Sequence, residues 1–396
     1  MRDAGGGRSS AQRRTRQDQV LPYFRRDLCD LTVCSGRARH NTLTIPIFLA
    51  SLLILFMGAL TGVGASAAAP SASGDDTAKA AYHLIKKVVL GGEGFWDYLA
   101  VDSAARRLYI SHASKVLVLN ADTYAVLGEI PGTDGVHGIA LAPALGRGFT
   151  SNGRSNTVSV FDLQTLKVQG QVKTGENPDA ILYDPASRRV FTFNGRSNDA
   201  TVIDAASGAV AGTIPLGGRP EFAAADGDGR IYVNLEDKSE VVTLDSRALS
   251  LKTRWPLAPC EEPSGMAMDT KHRRLFIGCH NKMMAVMDAD TGRIVATPPI
   301  GEGVDANAFD PGTGLAFSSN GDGTLTVVRE DSPEKFSVVE NVPTQRGART
   351  MALDLKTHKV YLVTAQFGPP PAPTPERPHP RPSIVPGTFT LLVLGQ

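Results

Sequence analysis

Short runs of apolar residues that end in aspartate recur along the chain at nearly constant spacing. "ILYD", which ends at Asp184, and "MALD", which ends at Asp354, are two of them. Six such runs and one that ends in alanine at the same phase finish at Asp102, Ala142, Asp184, Asp226, Asp269, Asp310 and Asp354, with separations of 40, 42, 42, 43, 41 and 44 residues. A regular period of this length indicates one structural unit per repeat.

Each unit contains three further apolar stretches separated by polar turns. In the third unit these stretches are "VFTF", "ATVID" and "AVAGTIPL", and the turns between them are rich in Gly, Asn, Asp and Ser. Four short strands in a repeat of this size are typical of a propeller blade. The sequence therefore predicts an all-β fold, a seven-bladed β-propeller with four-stranded blades.

The last unit lacks a fourth strand, whereas a spare strand precedes the first unit. That spare strand, "YHLIKKVVLGG" at 82–92, has the phase of the fourth strand "GAVAGTIPLGG" at 208–218. We expect this N-terminal strand to complete the last blade, because a closed ring leaves few strand edges open to aggregation. The propeller is predicted to span 82–396.

The third unit with its flanks, "RRVFTFNGRSNDATVIDAASGAVAGTIPLGGRP", resembles the YVTN-type repeat of YncE-like β-propeller proteins, and the resemblance extends over 82–396. It implies an exported seven-bladed ring. Proteins with related rings include lactonases, subunits of quinoprotein dehydrogenases and surface-layer proteins, so the resemblance does not select an activity. No Walker, H-E-x-x-H, G-x-S-x-G or dinucleotide-binding motif occurs in a supporting context.

The N-terminal part, 1–67, has the features of an export signal. Nine Arg and four Asp in 1–42 precede an apolar stretch at 43–60, which is followed by an Ala-x-Ala site ending at Ala67. This order predicts a signal peptide cleaved after Ala67, with an uncleaved membrane anchor as the alternative, and a linker at 68–81. The protein is therefore expected in the periplasm or outside the cell. Because the whole chain has a net charge of +1, the exported part is net negative, and nucleic-acid binding has little electrostatic support.

Polar residues occupy one position in every unit, five residues before the end of the recurring apolar run. Since the innermost strand of each blade begins here, all seven side chains are expected around the mouth of the central channel. We call them the mouth ring: Asp97, His137, Asp179, Glu221, Ser264, Asp305 and Arg349. The ring is suited to acid–base chemistry on a bound molecule or to a hard divalent cation, calcium or magnesium, with oxygen ligands. The candidate metal ligands are Asp97, Asp179, Glu221 and Asp305. The alternative is a polar, water-filled channel without a ligand.

The turns that follow the second strand of each unit are expected on the same face as the mouth ring. The candidate contact residues on this loop face are Trp96, His112, Asn152, Arg154, Asn194, Arg196, His280 and Asn320. The pentapeptide Asn-Gly-Arg-Ser-Asn occurs there twice, at 152–156 and 194–198. Its Asn-Gly is predicted to supply the positive φ of a tight turn.

Two cysteines lie close together in the predicted fifth blade. Cys260 precedes its first strand and Cys279 ends its second. Adjacent antiparallel strands bring these ends together, so a disulfide is predicted, which an oxidising compartment permits. The alternative is a soft-metal site formed by Cys279, His280, Met283 and Met284.

The last unit contains a Pro-rich insertion at 367–387, which is predicted to form a polyproline-type flap on the loop face. We expect the flap to cover the channel mouth or to meet a partner, with a solvated insertion as the alternative.

We interpret the protein as an exported, monomeric binding protein for a small ligand, a metal or a protein partner, with no membrane contact beyond the alternative anchor. Two other functions stay open. One is a metal-dependent hydrolase like the lactonases, in which His137 assists proton transfer. The other is an accessory subunit of a periplasmic oxidoreductase.

Overall fold

Seven antiparallel sheets of four strands each make up the computed structural model, which describes residues 82–374, 380 and 382–396. Strand β1 is His83–Val89. The next three sheets, blades 1 to 3, contain β2 Trp96–Asp102, β3 Arg107–His112, β4 Lys115–Asn120, β5 Val126–Pro131; β6 Val136–Ala142, β7 Arg147–Asn152, β8 Thr157–Asp162, β9 Val168–Lys173; β10 Pro178–Asp184, β11 Arg189–Asn194, β12 Asp199–Asp204 and β13 Val210–Pro215.

Blades 4 to 6 follow the same order. They contain β14 Pro220–Ala225, β15 Arg230–Leu235, β16 Glu240–Asp245, β17 Ser250–Pro256; β18 Pro263–Asp269, β19 Arg274–Cys279, β20 Met283–Asp288, β21 Ile294–Ala296; β22 Val304–Asp310, β23 Leu315–Asn320, β24 Thr324–Ser332 and β25 Lys335–Pro343. Blade 7 contains β26 Met351–Asp354, β27 Lys359–Thr364, β28 Thr390–Gly395 and β1. Two single 3₁₀ turns, Pro143–Leu145 and Glu236–Lys238, occur between strands.

The second and third strands of each blade are buried on both faces, because the neighbouring blades cover them. In β7 and β8 every middle residue is buried, whereas the outer strand β9 is mostly exposed. Strands covered on both faces have near-continuous apolar runs rather than strict alternation. Within the described residues, a hydrophobic cluster lies at each of the junctions between adjacent blades. The predicted seven-bladed β-propeller is confirmed.

The N-terminal strand closes the ring. β1 pairs antiparallel with β28, with His83 opposite Gly395. Tyr82, directly before β1, is buried in the cluster between blades 6 and 7, and its hydroxyl donates to the carbonyl of His358 at 2.8 Å. The innermost strands β26 and β2 are neighbours, so blade 7 also packs on blade 1. The predicted completion of the last blade by the N-terminal strand is therefore correct.

Basic residues in the turns after the innermost strands link adjacent blades. The first of two adjacent basic residues reaches back to an aspartate at the end of the preceding blade's innermost strand, or directly after it: Arg106 to Asp354 at 2.7 Å, Arg273 to Asp226 at 3.1 Å, and His358 to Asp310 at 2.6 Å. The second reaches forward, as Arg189 does when it donates to the Ser246 carbonyl of the next blade at 2.8 Å. The recurring aspartate and the Arg pairs are thus architectural.

The predicted export signal and linker lie outside the described residues. In the part of the chain that the structure describes, no helix combines the length and the apolar character that crossing a membrane requires. The Pro-rich insertion lies between β27 and β28, and a short ladder forms its base, where Phe367 bridges Ile384 and the Gly368 N–H donates to the Ser383 carbonyl at 2.8 Å. The propeller is one compact unit.

Candidate functional site

A recurring backbone irregularity produces the mouth ring. In six blades the pairing of the innermost strand slips directly after its first residue, as between Trp96 and Leu99 and between Val304 and Ala306. The ring residue lies at this slip. Two residues earlier the backbone is left-handed in several blades, for example at Gly135, with φ of 67°. Bulges of this kind re-aim side chains, and here they direct the ring residues toward one another.

The second strands hold the ring backbone in place from the neighbouring blade. Three side chains donate to the carbonyl of a ring residue one blade further on: Ser151 to Asp179, Asn234 to Ser264, and Ser319 to Arg349. These hydrogen bonds cross blade junctions. Ring positions in blades 3, 5 and 7 therefore depend on how the blades pack, and not only on their own strands.

Charged ring residues of blades 1 to 3 contact one another. His137 Nδ1 lies 2.6 Å from Asp97 Oδ2 and 3.6 Å from Asp179 Oδ1. The three side chains are 21 to 29 % exposed, so they line solvent at the mouth instead of joining the core. Their possible ligand atoms all lie within 4.8 Å of one another.

The remaining ring residues form a second, partly paired group. Arg349 Nε lies 3.1 Å from Asp305 Oδ2, and the Ser264 hydroxyl donates to Asp305 Oδ1 at 3.3 Å. Among the described residues, Glu221 has no ion-pair partner within 4 Å. The two basic residues of the ring therefore belong to blades 2 and 7, and neither of them pairs with the carboxyl group of Glu221 on blade 4.

Two aromatic side chains span the channel one residue beyond the ring. Tyr98 of blade 1 and Phe222 of blade 4 stack with ring centroids 5.1 Å apart and planes inclined by 29°. Tyr98 packs against the hydrophobic cluster between blades 3 and 4, so it reaches across the channel. We call this pair the aromatic floor, and the floor with the mouth ring the cup. The other five blades have small residues at this position: Gly138, Ala180, Gly265, Ala306 and Thr350.

The sequence analysis did not predict the aromatic floor, although the residues that follow the ring positions indicate it. The residue directly after the ring position is a large aromatic in two units and a small residue in the other five. A large side chain at the innermost position of a propeller must either fill the channel or clash, and here two of them fill it together.

Crowding in the cup raises the proton affinity of its acids. Burial raises the pKa of Asp179 to about 6, and two ring carboxylates add to the rise while His137 and Arg349 oppose it. Burial and the neighbouring carboxylates raise the pKa of Glu221 well above its usual value. The same causes raise the pKa of Tyr98 well above 10. Glu221 therefore keeps its proton to a higher pH than a free glutamate does.

His137 carries the opposite charge. Burial alone lowers its pKa, but the carboxylates of Asp179, Asp97 and Asp305 outweigh this effect and raise the pKa to about 9. The imidazole is therefore a cation at neutral pH, whereas an unperturbed histidine is mostly neutral.

We expect an NMR titration of the His137 ring to give a midpoint near 9, and Asp97→Asn to move it toward 6.5. Because the pKa is raised above that of the unfolded chain, the stabilisation is fully present below about pH 6.5 and is lost as the pH rises through about 9. Urea unfolding of wild type and His137→Gln over this range measures the loss, and the variant should show a flatter pH dependence.

His112 is an internal control in the same spectra, since burial, and then Lys115, lower its pKa below 6.5. A His137 midpoint at or below 6.5 contradicts the ion contacts described for the ring.

Comparisons with known proteins support the fold. No protein-family model and no curated protein matches the chain. Similar solved structures include Kuenenia stuttgartiensis hydrazine synthase, with 16 % identity, 67 % of this chain and 91 % of that chain covered, and a TM-score of 0.59. A chain of a mitotic checkpoint complex has 15 % identity, coverage of 76 % and 95 %, and a TM-score of 0.63. The RRP9 WD40 repeats have 10 % identity, coverage of 79 % and 97 %, and a TM-score of 0.64.

At these identities the likeness shows the propeller fold alone. The chain is a seven-bladed β-propeller. Its YVTN-type, YncE-like relationship stays a prediction.

Four of the predicted loop-face residues are buried inside the blades. They are His112, Asn152, Asn194 and Asn320, none more than 2 % exposed. Asn320 Nδ2 donates to the hydroxyls of Thr324 and Thr326 at 3.0 and 3.1 Å, and His112 stacks on Phe389 with centroids 4.2 Å apart. These four residues were predicted to be contact residues on the loop face. The structure corrects this, because each of them is the last residue of a buried strand and not the first residue of the turn.

The repeated pentapeptide provides turn geometry at its last residue. Asn156 and Asn198 have positive φ angles of 54° and 56°, so the prediction that Asn-Gly supplies them is wrong. Gly153 has another purpose, since a Cβ at this position would lie 2.6 Å from His137 Nε2. The glycine therefore leaves room for the ring imidazole.

Three other predicted residues do lie at the loop face. Arg154 and Arg196 are exposed, and Arg154 Nη1 lies 3.3 Å from Asp134 Oδ1. Trp96 is half-buried between Phe389 and Phe367, with centroid distances of 5.3 and 6.1 Å. It packs against the base of the Pro-rich insertion, and whether the flap covers the mouth stays a prediction.

A second charged group lies beside the ring on blades 4 and 5. We call it the flank cluster: Arg219, Glu236, Glu262 and His280. Arg219 Nη2 lies 2.6 Å from Glu236 Oε2, and His280 Nδ1 lies 3.2 Å from Glu262 Oε2. In the other five blades the turn position of Glu236 and His280 is Gly or Ala. The sequence analysis selected only His280 from this cluster. The charged residue in place of Gly or Ala was also visible in the sequence at Glu236.

The predicted disulfide between Cys260 and Cys279 is confirmed, with Cα atoms 5.5 Å apart. Cys260 lies two residues before Glu262, and Cys279 lies directly before His280. The disulfide therefore holds Glu262 and His280 close together. With Cys279 in a disulfide, the soft-metal alternative loses its thiolate ligand.

Proposed function

We propose that the cup binds a small organic cation, such as a primary or quaternary amine. The observation that carries this proposal is the placement of Asp179 and Glu221 on neighbouring blades, beside the aromatic floor. His137 makes its shorter contact with Asp97, and Arg349 pairs with Asp305, so the carboxyl groups of Asp179 and Glu221 have the weakest cation contacts in the ring. Carboxylates beside aromatic rings are the features that recognise ammonium groups.

Amine binding is expected to release a proton. Burial and the surrounding carboxylates favour the protonated form of Glu221 when no cation is near. An ammonium group stabilises the ionised carboxylate and displaces this proton. The affinity for amines should therefore increase as the pH rises.

Isothermal titration with putrescine and choline, and with succinate as an anionic comparison, tests the proposal. We expect both amines to bind and succinate not to bind. Glu221→Gln should weaken amine binding about 10- to 100-fold, because it removes a charge-assisted contact.

Glu176→Gln is the matched control, since Glu176 is an exposed glutamate in the loop before blade 3. It should leave the affinity unchanged. Succinate binding without amine binding, or equal effects of the two variants, rejects the proposal.

A divalent-cation site is the second candidate, and the observation that favours it is the convergence of Asp97, His137 and Asp179. These three residues fit a metal only when His137 has lost the proton that the two carboxylates favour. A bound ion would polarise a carbonyl, as a lactonase-like hydrolase requires. Titration with calcium or magnesium, with lactone hydrolysis as a second readout, distinguishes this candidate from amine binding.

We also propose that the protein acts after export. The Ala-x-Ala site ending at Ala67 supports this, and the Cys260–Cys279 disulfide is consistent with an oxidising compartment. Cell fractionation with an antibody to the propeller tests it, and recovery in the cytoplasm alone rejects it.

A further inference from the structure

The face opposite the cup has a repeated charge pattern at the blade junctions. A buried aspartate side chain at the end of an innermost strand, or directly after it, meets one basic side chain from the turn of the next blade. This arrangement occurs at three junctions: Asp354 with Arg106, Asp226 with Arg273, and Asp310 with His358. Each of these junctions therefore pairs one buried carboxylate with one positive or protonatable group.

The junction between blades 5 and 6 departs from this pattern twice. The blade-6 position that would supply the basic side chain to Asp269 is Gly314, which has no side chain. The equivalent residues of blades 2 and 4, Gly146 and Gly229, are also glycines. In addition, Glu330 of β24 enters the junction. The equivalent residue in blades 1 to 5 is never a carboxylate: Ala121, Leu163, Ala205, Ser246 and Ala289.

Asp269, Glu330 and His272 converge at this junction, and we call them the far-face triad. His272 Nδ1 lies 2.8 Å from Asp269 Oδ2 and 3.0 Å from Glu330 Oε1. Both carboxylate side chains are only 3 % exposed, whereas His272 is 34 % exposed. Two buried carboxylates thus meet at one nitrogen of a partly exposed imidazole.

One of the two carboxylates lacks a donor of its own. His272 Nδ1 carries at most one hydrogen, so it can donate fully to one oxygen. Asp269 also accepts the backbone N–H groups of Lys271 and His272, at 2.9 and 3.1 Å. Among the described residues, Glu330 has only the shared His272 nitrogen as a donor. A buried carboxylate that faces a second one without a donor is stabilised either by taking up a proton or by a cation between the two.

The three atoms lie within 4.8 Å of one another, and two of their separations are close to those around a small metal ion. A tetrahedral zinc ion holds oxygen and nitrogen ligands at about 2.0–2.2 Å, which places neighbouring ligand atoms about 3.3 Å apart. The distances of 2.8 and 3.0 Å need only a slight expansion to reach this value. Imidazole with carboxylate ligands is a set that zinc accepts.

We propose that the far-face triad binds a zinc-type divalent cation through Asp269 Oδ2, Glu330 Oε1 and His272 Nδ1, with water at the fourth position on the exposed side. The ion links β18 and the following turn of blade 5 to β24 of blade 6. It takes the place of the basic side chain that is present at three of the other junctions. This site is separate from the cup and does not depend on the function proposed for it.

Competition with a chromophoric zinc chelator tests the site in protein first stripped of metal. We expect wild type to bind zinc and Glu330→Gln to bind it at least tenfold more weakly. His358→Gln is the matched control, because His358 faces a single buried carboxylate, Asp310, at 2.6 Å. His137→Gln, in the cup, tests whether zinc binds at the mouth ring instead.

Zinc-edge anomalous diffraction on wild-type crystals provides a second measurement that needs no variant. A peak between Asp269, His272 and Glu330 supports the proposal. The absence of zinc binding by wild type, or binding that His137→Gln abolishes and Glu330→Gln leaves unchanged, overturns it.

Discussion

Tyr82→Ala is expected to lower the free energy of unfolding by about 3–5 kcal/mol, the range for deleting a buried aromatic ring. Tyr82 is 2 % exposed and packs edge-on against Phe317, with centroids 5.0 Å apart. Its hydroxyl donates to the His358 carbonyl, and its backbone N–H donates to Glu340 Oε2 at 3.0 Å. The substitution leaves a cavity between blades 6 and 7, where the N-terminal strand enters the ring. Urea unfolding followed by circular dichroism measures the change.

Two variants separate ring closure from general effects. Tyr82→Phe keeps the ring and removes only the hydroxyl, so we expect a loss of about 1 kcal/mol. Phe95→Ala removes an aromatic ring that is 65 % exposed, and it should change stability by less than about 0.5 kcal/mol. Equal losses for Tyr82→Ala and Phe95→Ala would show that the N-terminal segment does not contribute to closure.

Asp354→Ala is expected to destabilise the protein by about 3 kcal/mol or more, because it breaks a buried ion pair at the junction of blades 7 and 1. The Asp354 side chain is fully buried and lies 2.7 Å from Arg106 Nη1. It also accepts the Lys356 N–H at 3.2 Å and the Thr357 hydroxyl at 2.6 Å, so the turn after β26 loses support. Urea unfolding at constant pH measures this effect as well.

Asp122→Ala provides the control on the same guanidinium. Asp122 also contacts Arg106 at 2.7 Å, but its side chain is 52 % exposed. Exposed pairs contribute little, so the expected loss is much smaller than that for Asp354→Ala. If Asp122→Ala destabilises the protein as much as Asp354→Ala does, the buried Asp354–Arg106 pair has no special role in joining blades 7 and 1.

The two predictions concern the parts of the fold that were most accessible from sequence. The apolar runs that end in aspartate showed the innermost strands, and the phase of 82–92 showed which strand closes the ring. The disulfide followed from the same alignment, since Cys260 and Cys279 belong to neighbouring strands of one unit. All of these inferences use relations within one repeat unit or between the two ends of the ring.

The wrong predictions concern the ends of the second strands, where a shift of one residue separates a buried strand position from an exposed turn position. Asn152 and its equivalents were expected in exposed turns, but they are the last residues of buried strands and hydrogen-bond within the blade. Gly153 was assigned to turn geometry, yet its role is to admit the His137 imidazole. Neither fact can be read from turn composition, because the first depends on the exact strand end and the second on a side chain from another strand.

By itself, the sequence determined the number of blades, the order of their strands, the closing strand and the phase of the mouth ring. These properties are local, and they are repeated, so each unit supports the reading of the others. Only the tertiary structure decided which side chains meet: Tyr98 with Phe222 across the channel, His137 with Asp97, and Glu330 with Asp269. These contacts join different blades, so their distances depend on ring closure and on the bulges that orient the inner strands, and no pattern within a single unit contains that information.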